Sequence, residues 1–304
     1  MKISKMQKMT DPIDKTISIV AVSDNSFAIL LATLLKSIEL NHRSQEKIDV
    51  YIVEDNMSEI NKTKIRNSVS LPFISLKWLR MSEVISKIKL PLDNSSFPLN
   101  VYVRLFIPYF IPKEVEKVIY LDVDMIVLKD ISELWKIDIG DKIVAGVVDR
   151  SEIVSSEWGG ITNYREHNIP ADTKYFNSGM LVIKPAEWRR FDLPARIIKC
   201  VEENRTYANF PDQYGLNVVF ANQWFELNSK WNTYSISDER EPFIIHFIGR
   251  KPIYKSYSYN RLYRDIFYEY LNQTEWRGFN SKSEMERLIK KVYNKAGKKL
   301  LTLF

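Results

Sequence analysis

Apolar and polar residues follow one another along the first third of the chain in blocks that predict an α/β fold. β-branched and apolar runs predict buried strands at residues 17–22, 48–53 and 74–79. Between them, residues 27–40 and 58–70 have the length and the apolar face of helices. This alternation predicts a parallel sheet with helices on its faces, in which ligands bind beyond the carboxyl ends of the strands.

The same reasoning extends the pattern through the rest of the chain. It predicts further helices at 98–110 and 186–203, and further strands at 118–121, 143–148, 175–184 and 244–247. The segment 175–184 contains small residues that predict a turn within it. There is no internal repeat and no glycine-rich phosphate loop, because the nine glycines are scattered. The chain therefore has one or two domains of ordinary globular character.

Composition narrows the class of protein. Cys200 is the single cysteine, which excludes an intramolecular disulfide framework and a cluster of thiolate metal ligands, and we expect its thiol to be buried. No uncharged apolar run approaches the roughly 20 residues of a membrane span, and residues 1–15 lack the apolar core of a signal peptide. These features predict a cytoplasmic protein.

The net charge of +6 is concentrated at the C-terminus. Residues 281–304 contain seven Lys or Arg side chains against Glu284 and Glu286, so this tail carries +5. The rest of the chain is nearly neutral, which argues against a nucleic-acid partner.

The most informative segment for chemistry is the apolar run 118–128, which contains two carboxylates. Asp122 and Asp124 stand one residue apart at the end of a predicted strand. Carboxylates near a core are costly unless they are paired. Mg²⁺ or Mn²⁺ is a suitable partner because these ions accept carboxylate oxygens and keep positions open for phosphate. The alternative is a turn in which both side chains cap backbone amides.

A late strand adds a third potential ligand. His246 is followed by Gly249, which permits close backbone approach, and then by Arg250 and Lys251, which can neutralise phosphate. A lone histidine beside a strand is otherwise a common core residue. An ion together with basic side chains would stabilise negative charge on a departing nucleoside diphosphate.

In the order and spacing of its motifs, the chain resembles the bacterial glycosyltransferases of family 8. This group includes lipopolysaccharide galactosyl- and glucosyltransferases and glycogenin. The resemblance runs from Ile17 to about Ile253. It rests on six ordered segments: Ser23-Asp24-Asn25-Ser26-Phe27-Ala28, Tyr102-Val103-Arg104-Leu105, Tyr120-Leu121-Asp122-Val123-Asp124, Tyr175-Phe176-Asn177-Ser178-Gly179-Met180-Leu181-Val182-Ile183, Asp212-Gln213-Tyr214-Gly215-Leu216-Asn217 and the His246 segment.

The resemblance implies an α/β GT-A (nucleotide-diphospho-sugar transferase) fold over residues 17–254, with a Rossmann-like, mixed but mainly parallel sheet and helices on both faces. It also implies an N-terminal extension at 1–16 and a basic, aromatic helical tail at 255–304. It implies retaining, Mn²⁺- or Mg²⁺-dependent transfer of a hexose, glucose or galactose, from a UDP-sugar to a saccharide or a glycolipid or glycoprotein acceptor. Lipopolysaccharide, capsule or other surface-glycan synthesis would be the setting. We expect acceptor contacts around residues 151–172 and 230–241.

The family pattern also implies which residues bind the ion and the diphosphate. Asp122, Asp124 and His246 would hold Mn²⁺, while Gly249 and Lys251 would contact the diphosphate. The stretch between the histidine and the Lys-Pro pair is one residue shorter here than in the family pattern, and Ile replaces the common Trp after that pair. The metal ligands are therefore better supported than the lysine.

For the nucleoside, the resemblance places Asp24 beside the uracil edge, Ser26 near the ribose and Phe27 stacked on the base. Family members usually have Tyr at this last position, so stacking is retained and a hydroxyl is lost. Alternatively, Asp24 and Ser26 cap the first helix.

For the sugar, the resemblance implies that Arg104, Asn177 and Asp212 hold hydroxyl groups and that Gln213 lies under the anomeric carbon. The alternatives are a surface ion pair for Arg104, a simple turn at Asn177, a helix cap at Asp212 and an exposed Gln213. An amide is a poor nucleophile, so we favour a front-face route in which the leaving phosphate assists the acceptor hydroxyl.

The basic tail raises the prospect of a membrane partner. Residues 288–304 mix five lysines with apolar side chains, and aromatic residues with Lys and Arg precede them. Such a segment can bind an anionic bilayer, as the tails of the related bacterial enzymes do. We therefore predict peripheral attachment at the inner face of the cell membrane; the alternative is a terminal helix packed on the body.

Two other classes of protein compete. A haloacid-dehalogenase-type phosphatase also has an Asp-x-Asp strand, but it needs that strand first in its core and a paired-acid motif downstream. Here three predicted strands precede Asp122. A non-catalytic protein that binds nucleotide sugars is the second alternative.

Overall fold

The computed structural model describes residues 16–69, 72–86 and 99–283. Its strands are β1 (Ile17–Asp24), β2 (Ile48–Asp55), β3 (Ile74–Arg80), β4 (Val118–Leu121), β5 (Met125–Val127), β6 (Val144–Ile153), β7 (Lys174–Ile183), β8 (Phe225–Glu226), β9 (Thr233–Tyr234) and β10 (Ile244–His246). Its helices are α1 (Ala28–Asn41), α2 (Glu59–Ser68), α3 (Met81–Ser86), α4 (Leu99–Tyr102), α5 (Ile107–Phe110), α6 (Ile131–Lys136), α7 (Pro185–Arg190), α8 (Leu193–Glu203), α9 (Pro211–Val219) and α10 (Arg261–Leu271), with 3₁₀ turns at Val103–Phe106 and Ser229–Asn232.

The larger sheet has seven strands in the order β3-β2-β1-β4-β7-β6-β8. Strands β1 to β4 run parallel, β7 is antiparallel to both of its neighbours, and β8 is parallel to β6. The mixed, mainly parallel α/β sheet predicted from the sequence is confirmed. A smaller sheet, β5-β10-β9, lies beside it.

Both faces of the large sheet are covered, as the largely apolar sequence of β1 predicts. Ile17, Ile19 and Ala21 point into a core shared with α1 and α10. The alternate residues Val20 and Val22 belong to a second core on the other face, shared with α8 and α9. Because every second side chain of a strand points to the same face, one short strand anchors both layers.

Two predicted helices are interrupted, and in both cases a proline accounts for the break. The helix predicted at 186–203 is two helices, α7 and α8, separated at Asp192, whose φ is +47°. Pro194 stands in the first turn of α8. A proline has no N–H to donate to the preceding turn, so it cannot continue α7 but is tolerated at the start of a new helix. The segment 98–110 similarly divides into α4, a 3₁₀ turn and α5, which has Pro108 in its first turn.

Two further expectations were wrong. The turn predicted within 175–184 is absent, since β7 is one continuous strand from Lys174 to Ile183. Cys200 is only half-buried, and its partial burial raises the pKa of the thiol to about 11. The thiol is therefore protonated and weakly nucleophilic at neutral pH.

The C-terminal segment is described as far as residue 283, and residues 284–304 of the predicted membrane-binding tail lie outside the described residues. Tyr263, Phe267 and Leu271 of α10 are buried in the core that α1 also joins. Within the described part of the chain, no helix is both long enough and apolar enough to cross a bilayer.

Candidate active site

The carboxyl ends of β1 and β4 lie side by side at one edge of the large sheet. The two strands pair in parallel with Val20 opposite Tyr120. Asp24 at the end of β1 and Asp122 directly after β4 therefore lie at the same edge. The backbone N–H of Asp122 donates to the carbonyl of Gly179 at 2.8 Å, which connects this turn to β7.

The smaller sheet brings His246 to the two acidic side chains. Strand β10 is antiparallel to β5, with His246 opposite Met125, and the Phe247 N–H donates to the Asp124 carbonyl at 2.9 Å. The His246 Nε2 lies 3.5 Å from Asp124 Oδ1 and 3.9 Å from Asp122 Oδ2. One ligand atom from each of the three side chains lies within 4.8 Å of the other two.

The space between these side chains fits a divalent cation. A Cβ atom on Gly179 would lie 2.5 Å from His246 Cε1 and 2.8 Å from Asp122 Oδ2. The absence of a side chain at Gly179 therefore lets the ligands approach one another. Two carboxylates and one imidazole form a donor set that suits a divalent ion of the Mg²⁺ or Mn²⁺ type.

Hydrogen bonds hold the imidazole in the tautomer that metal binding requires. The Gly179 N–H donates to Asn177 Oδ1 at 3.0 Å, which identifies that atom as the amide oxygen. Asn232 donates its Nδ2 to the same oxygen at 2.9 Å, so Asn232 Oδ1 faces His246 Nδ1, also at 2.9 Å. The Nδ1 atom must then carry a proton, so Nε2 is the ring nitrogen that faces the carboxylates and would bind a metal ion.

Arg104 joins the metal-binding turn to the predicted sugar site. Its Nη2 lies 3.0 Å from Asp122 Oδ1 and its Nε lies 3.2 Å from Asp212 Oδ2, while Nη1 donates to the Ser178 carbonyl at 2.6 Å. The guanidinium also lies over the Tyr120 ring, 4.7 Å from its centroid. Arg104 is 8% exposed, so the surface ion pair considered as an alternative is wrong.

The pKa values of the two acidic residues shift in opposite directions. Desolvation raises the pKa of Asp122 although Arg104 and His246 oppose it. Desolvation also acts on Asp124, but the Lys251 ammonium and His246 overcome it, so the pKa of Asp124 is lowered. Two partly buried carboxylates held so close together favour a bound cation.

Lys251 reaches the acidic pair from the segment after β10. Its Nζ donates to Asp124 Oδ2 and to the Phe247 carbonyl, the latter at 2.7 Å. Gly249 in the same loop has a φ of +70°, a conformation that favours glycine. The basic side chain that was predicted to bind diphosphate therefore lies beside the metal-binding residues.

A cavity of about 200 Å³ adjoins this cluster, and its lining includes Asp24, Phe27, Arg104, Asp124 and Lys251. Residues predicted to bind nucleoside and phosphate thus share one cavity. Asp24 Oδ1 accepts the N–H groups of Ser26 and Phe27 at 2.8 and 3.0 Å, which closes a turn ahead of α1. The N-cap of α1 is Phe27 and no side chain caps the helix, so the capping alternative is wrong. Ser26 in that turn is exposed.

The residues predicted to contact the sugar form a buried hydrogen-bonded cluster. Gln213 is 7% exposed, and its Oε1 accepts from the Ser178 N–H at 3.0 Å and from Asn177 Nδ2 at 3.1 Å. Ser178 Oγ donates to Asp212 Oδ2 at 2.9 Å. The alternatives of a simple turn at Asn177 and an exposed Gln213 are therefore wrong.

The model of the family described as glycosyl transferase family 8 matches residues 18–252, which is well over half of the chain. The chain belongs to glycosyl transferase family 8. It is a glycosyltransferase of a retaining family, and its Asp122, Asp124 and His246 cluster is consistent with the divalent-metal site of that family. This membership excludes the alternative of a haloacid-dehalogenase-type phosphatase.

Proteins of similar sequence occur in other bacteria. General stress protein A of Bacillus subtilis (strain 168) is 27% identical over 289 residues, which cover 86% of this chain and 96% of that protein. Glycosyltransferase GlyB of Streptococcus pneumoniae is 28% identical over 285 residues, which cover 86% of this chain and 63% of GlyB. This chain thus spans less than two thirds of GlyB.

Solved structures support the GT-A fold of this family 8 member. The galactosyltransferase LgtC, in complex with donor and acceptor sugar analogs, matches with a TM-score of 0.68 and 24% identity over 86% of this chain and 99% of LgtC. The bifunctional glycosyltransferase WbbM matches with a TM-score of 0.72 and 24% identity, over 88% of this chain and 51% of WbbM.

Sequence reasoning missed two polar residues of this site. Asp149 is 8% exposed, and its Oδ2 accepts from Asn177 Nδ2 and from the Tyr234 hydroxyl, both at 2.9 Å. It directly follows the predicted strand 143–148, so the strand-end rule that identified Asp122 could have found it. Asn232 lies in a segment without regular periodicity, and no pattern marked it.

Proposed function

We propose that this protein transfers a hexose, glucose or galactose, from a UDP-sugar to a saccharide or glycoconjugate acceptor with retention of configuration. The observation that carries the proposal is the convergence of Asp122, Asp124 and His246 beside the cavity that contains Phe27 and Lys251. A diphosphate bound there would meet a cation on one side and an ammonium on the other.

The three ligands would hold Mn²⁺ or Mg²⁺, and the imidazole favours the transition-metal ion of the two. When bound, such an ion stabilises negative charge on the departing diphosphate. Lys251 then exchanges its bond with Asp124 for phosphate oxygens, and Gly249 lets the backbone approach them. This role requires only movement of one flexible side chain.

The other cavity residues divide between base and sugar. We assign Phe27 to stacking on uracil, Asp24 to the base edge and Ser26 to the ribose. Arg104 and Asp212 would bind sugar hydroxyl groups, together with Asn177 in the buried cluster described above. Arg104 can also neutralise charge without proton loss, because its neighbouring carboxylates raise its pKa in spite of burial.

The surroundings of Gln213 favour the front-face route to retention. Its Oε1 already accepts two hydrogen bonds, so its lone pairs are engaged as well as weakly nucleophilic. Asp212 is held by Arg104, and Asp149 by two donors. In this route the bond between the anomeric carbon and the UDP oxygen breaks while the acceptor oxygen bonds to the same face. The acceptor proton passes to the leaving phosphate.

Hydrolysis of UDP-sugars in the absence of acceptor tests the proposal. We expect Mn²⁺-dependent release of UDP from UDP-glucose or UDP-galactose, abolished by EDTA and by Asp124→Ala. Asp141→Ala is the matched control, since that carboxylate is 89% exposed. A protein that binds UDP in calorimetry but neither hydrolyses nor transfers any UDP-sugar would be the non-catalytic binding protein instead.

Attachment to an anionic membrane and a role in surface-glycan synthesis complete the proposal. Their support is the charge of +5 in residues 281–304, most of which lie outside the described residues. Deletion of that segment should release the protein from phosphatidylglycerol vesicles but not lower the rate of UDP-sugar hydrolysis. Equal vesicle binding by the full and shortened chains would contradict the attachment.

A further inference from the structure

Two large aromatic side chains stand exposed next to each other on the loop side of β6. Trp158 is 53% exposed and Phe210 is 50% exposed. Their ring centroids lie 6.5 Å apart with the planes inclined at 56°. The guanidinium carbon of Arg150 lies 4.3 Å from the centroid of the Trp158 ring. Adjacent exposed aromatic rings, here with a guanidinium over one of them, are typical of a binding surface.

This aromatic pair is connected to the candidate active site by a short series of hydrogen bonds. The Trp158 carbonyl accepts from Ser151 Oγ at 2.7 Å, and the Ser151 N–H donates to Asp149 Oδ1 at 3.0 Å. The other oxygen of Asp149 accepts from Asn177, which also donates to Gln213. The loop that carries the indole is thus anchored to the residues assigned to the sugar.

Phe210 reaches the same surface from the other side of the site. It is the N-cap residue of α9 and precedes Gln213 by only three positions. Its ring edge lies 4.0 Å from the position that a Cβ on Gly159 would occupy. The two rings therefore meet from two separate segments of chain, each of which is connected to the same hydrogen-bonded cluster.

The loop holds Trp158 in a defined position. Gly159 has a φ of +76°, and a Cβ there would lie 2.7 Å from Ser151 Oγ. A Cβ on Gly160 would lie 2.5 Å from the Val154 carbonyl, and the Ile161 N–H donates to that carbonyl at 2.7 Å. A tightly closed loop lowers the entropy lost when a ligand contacts the ring.

We propose that Trp158 and Phe210 form the platform on which the pyranose ring of the acceptor rests, with Arg150 donating to its hydroxyl groups. This inference rests on the proposed function. The C–H face of a pyranose is apolar and packs on an aromatic ring, while its equatorial hydroxyls point outward to hydrogen-bond donors. An acceptor bound there would lie beside the cluster of Asp149, Asn177 and Gln213.

Acceptor transfer measured against donor hydrolysis tests the platform. The probes are methyl β-D-glucopyranoside, methyl β-D-galactopyranoside and methyl N-acetyl-β-D-glucosaminide, each with the UDP-sugar that the protein hydrolyses. We expect Trp158→Ala and Phe210→Ala each to lower the ratio of transfer to hydrolysis about 5- to 10-fold. Trp158→Tyr should retain most of the ratio, because an aromatic face remains.

Phe191→Ala is the matched control. Phe191 is 45% exposed and also lies under a guanidinium, that of Arg190 at 5.1 Å, but it follows β7 at the end of the sheet away from Asp122. It should keep the wild-type ratio. Wild-type ratios in both platform variants would overturn the inference, as would a wild-type protein that hydrolyses UDP-sugar but glycosylates none of the three probes. Absence of both hydrolysis and transfer in the wild type would instead contradict the proposed function.

Discussion

His246 Nδ1 lies 2.9 Å from Asn232 Oδ1, and this contact determines which imidazole nitrogen faces the acidic pair. Asn232 is itself oriented through Asn177 by a backbone N–H, that of Gly179, which can only donate. A peptide group of β7 therefore sets the tautomer of a residue on β10. Hydrogen-bonded partners of this kind usually change metal affinity when they are removed.

We predict that Asn232→Leu weakens Mn²⁺ binding about 10- to 100-fold, because the imidazole loses the acceptor that holds its ring and its tautomer. The apparent Mn²⁺ affinity from activation of UDP-sugar hydrolysis measures the effect. Asn232→Asp keeps an acceptor for His246 and should recover part of the affinity. The exposed Asn280→Ala is the control. An unchanged Mn²⁺ requirement in Asn232→Leu would show that His246 is oriented by other contacts.

A methyl group at position 179 should lower activity because it would displace the metal-binding side chains. In Gly179→Ala the Cβ would approach His246 Cε1 at 2.5 Å and Asp122 Oδ2 at 2.8 Å, so the ligands must move apart. A displacement of this kind lowers the rate about 100-fold. Gly278→Ala controls for stability alone, since its φ of +75° strains an alanine but nothing lies within 4 Å of its Cβ. Equal activity of the two variants would contradict the prediction.

Replacement of Arg104 should lower stability as well as activity. Arg104→Met leaves the buried Asp212 and the partly buried Asp122 without their cation, which costs about 3 kcal/mol of unfolding free energy. Arg104→Lys should recover only part of it, because an ammonium cannot reproduce the fork that also reaches the Ser178 carbonyl. Urea unfolding provides the measurement. Arg190→Met, at a side chain 70% exposed, should change the free energy by less than about 0.5 kcal/mol.

The lowered pKa of Asp130 should make the stability of the folded state depend on pH in the acid range. Burial alone would raise its pKa, but hydrogen bonds from the N–H groups of Ser132 and Arg43 and from His42 lower it to about 2 from 3.8. A depressed pKa stabilises the folded state above the unfolded value, so this contribution is present above about pH 4 and is lost as the pH falls toward 2. Asp130→Asn should therefore unfold at lower urea than wild type at pH 6, by a margin that shrinks at pH 3. A margin independent of pH would exclude this linkage.

The sequence located the two acidic residues because a strand pattern that ends in Asp122 and Asp124 is a local property of the chain. The covering of both faces of the sheet was likewise predictable, since continuous apolar runs indicate strands buried on both sides. His246 was found because a late strand ends in it next to Gly249 and Lys251. The helix 186–203 was predicted wrongly although Pro194 is visible in the sequence, because the apolar spacing continues across the break.

What only the tertiary structure decided is which side chains face one another. Asn232 lies more than fifty residues from Asn177, and its contact with His246 depends on β9 and β10 pairing beside β5. Local patterns report the hydrophobic period of a segment, and they carry no information about partners brought together by a second sheet. The chain alone thus determined the strand ends where the ligands stand. The packing of two sheets determined the distances between those ligands and the tautomer of His246.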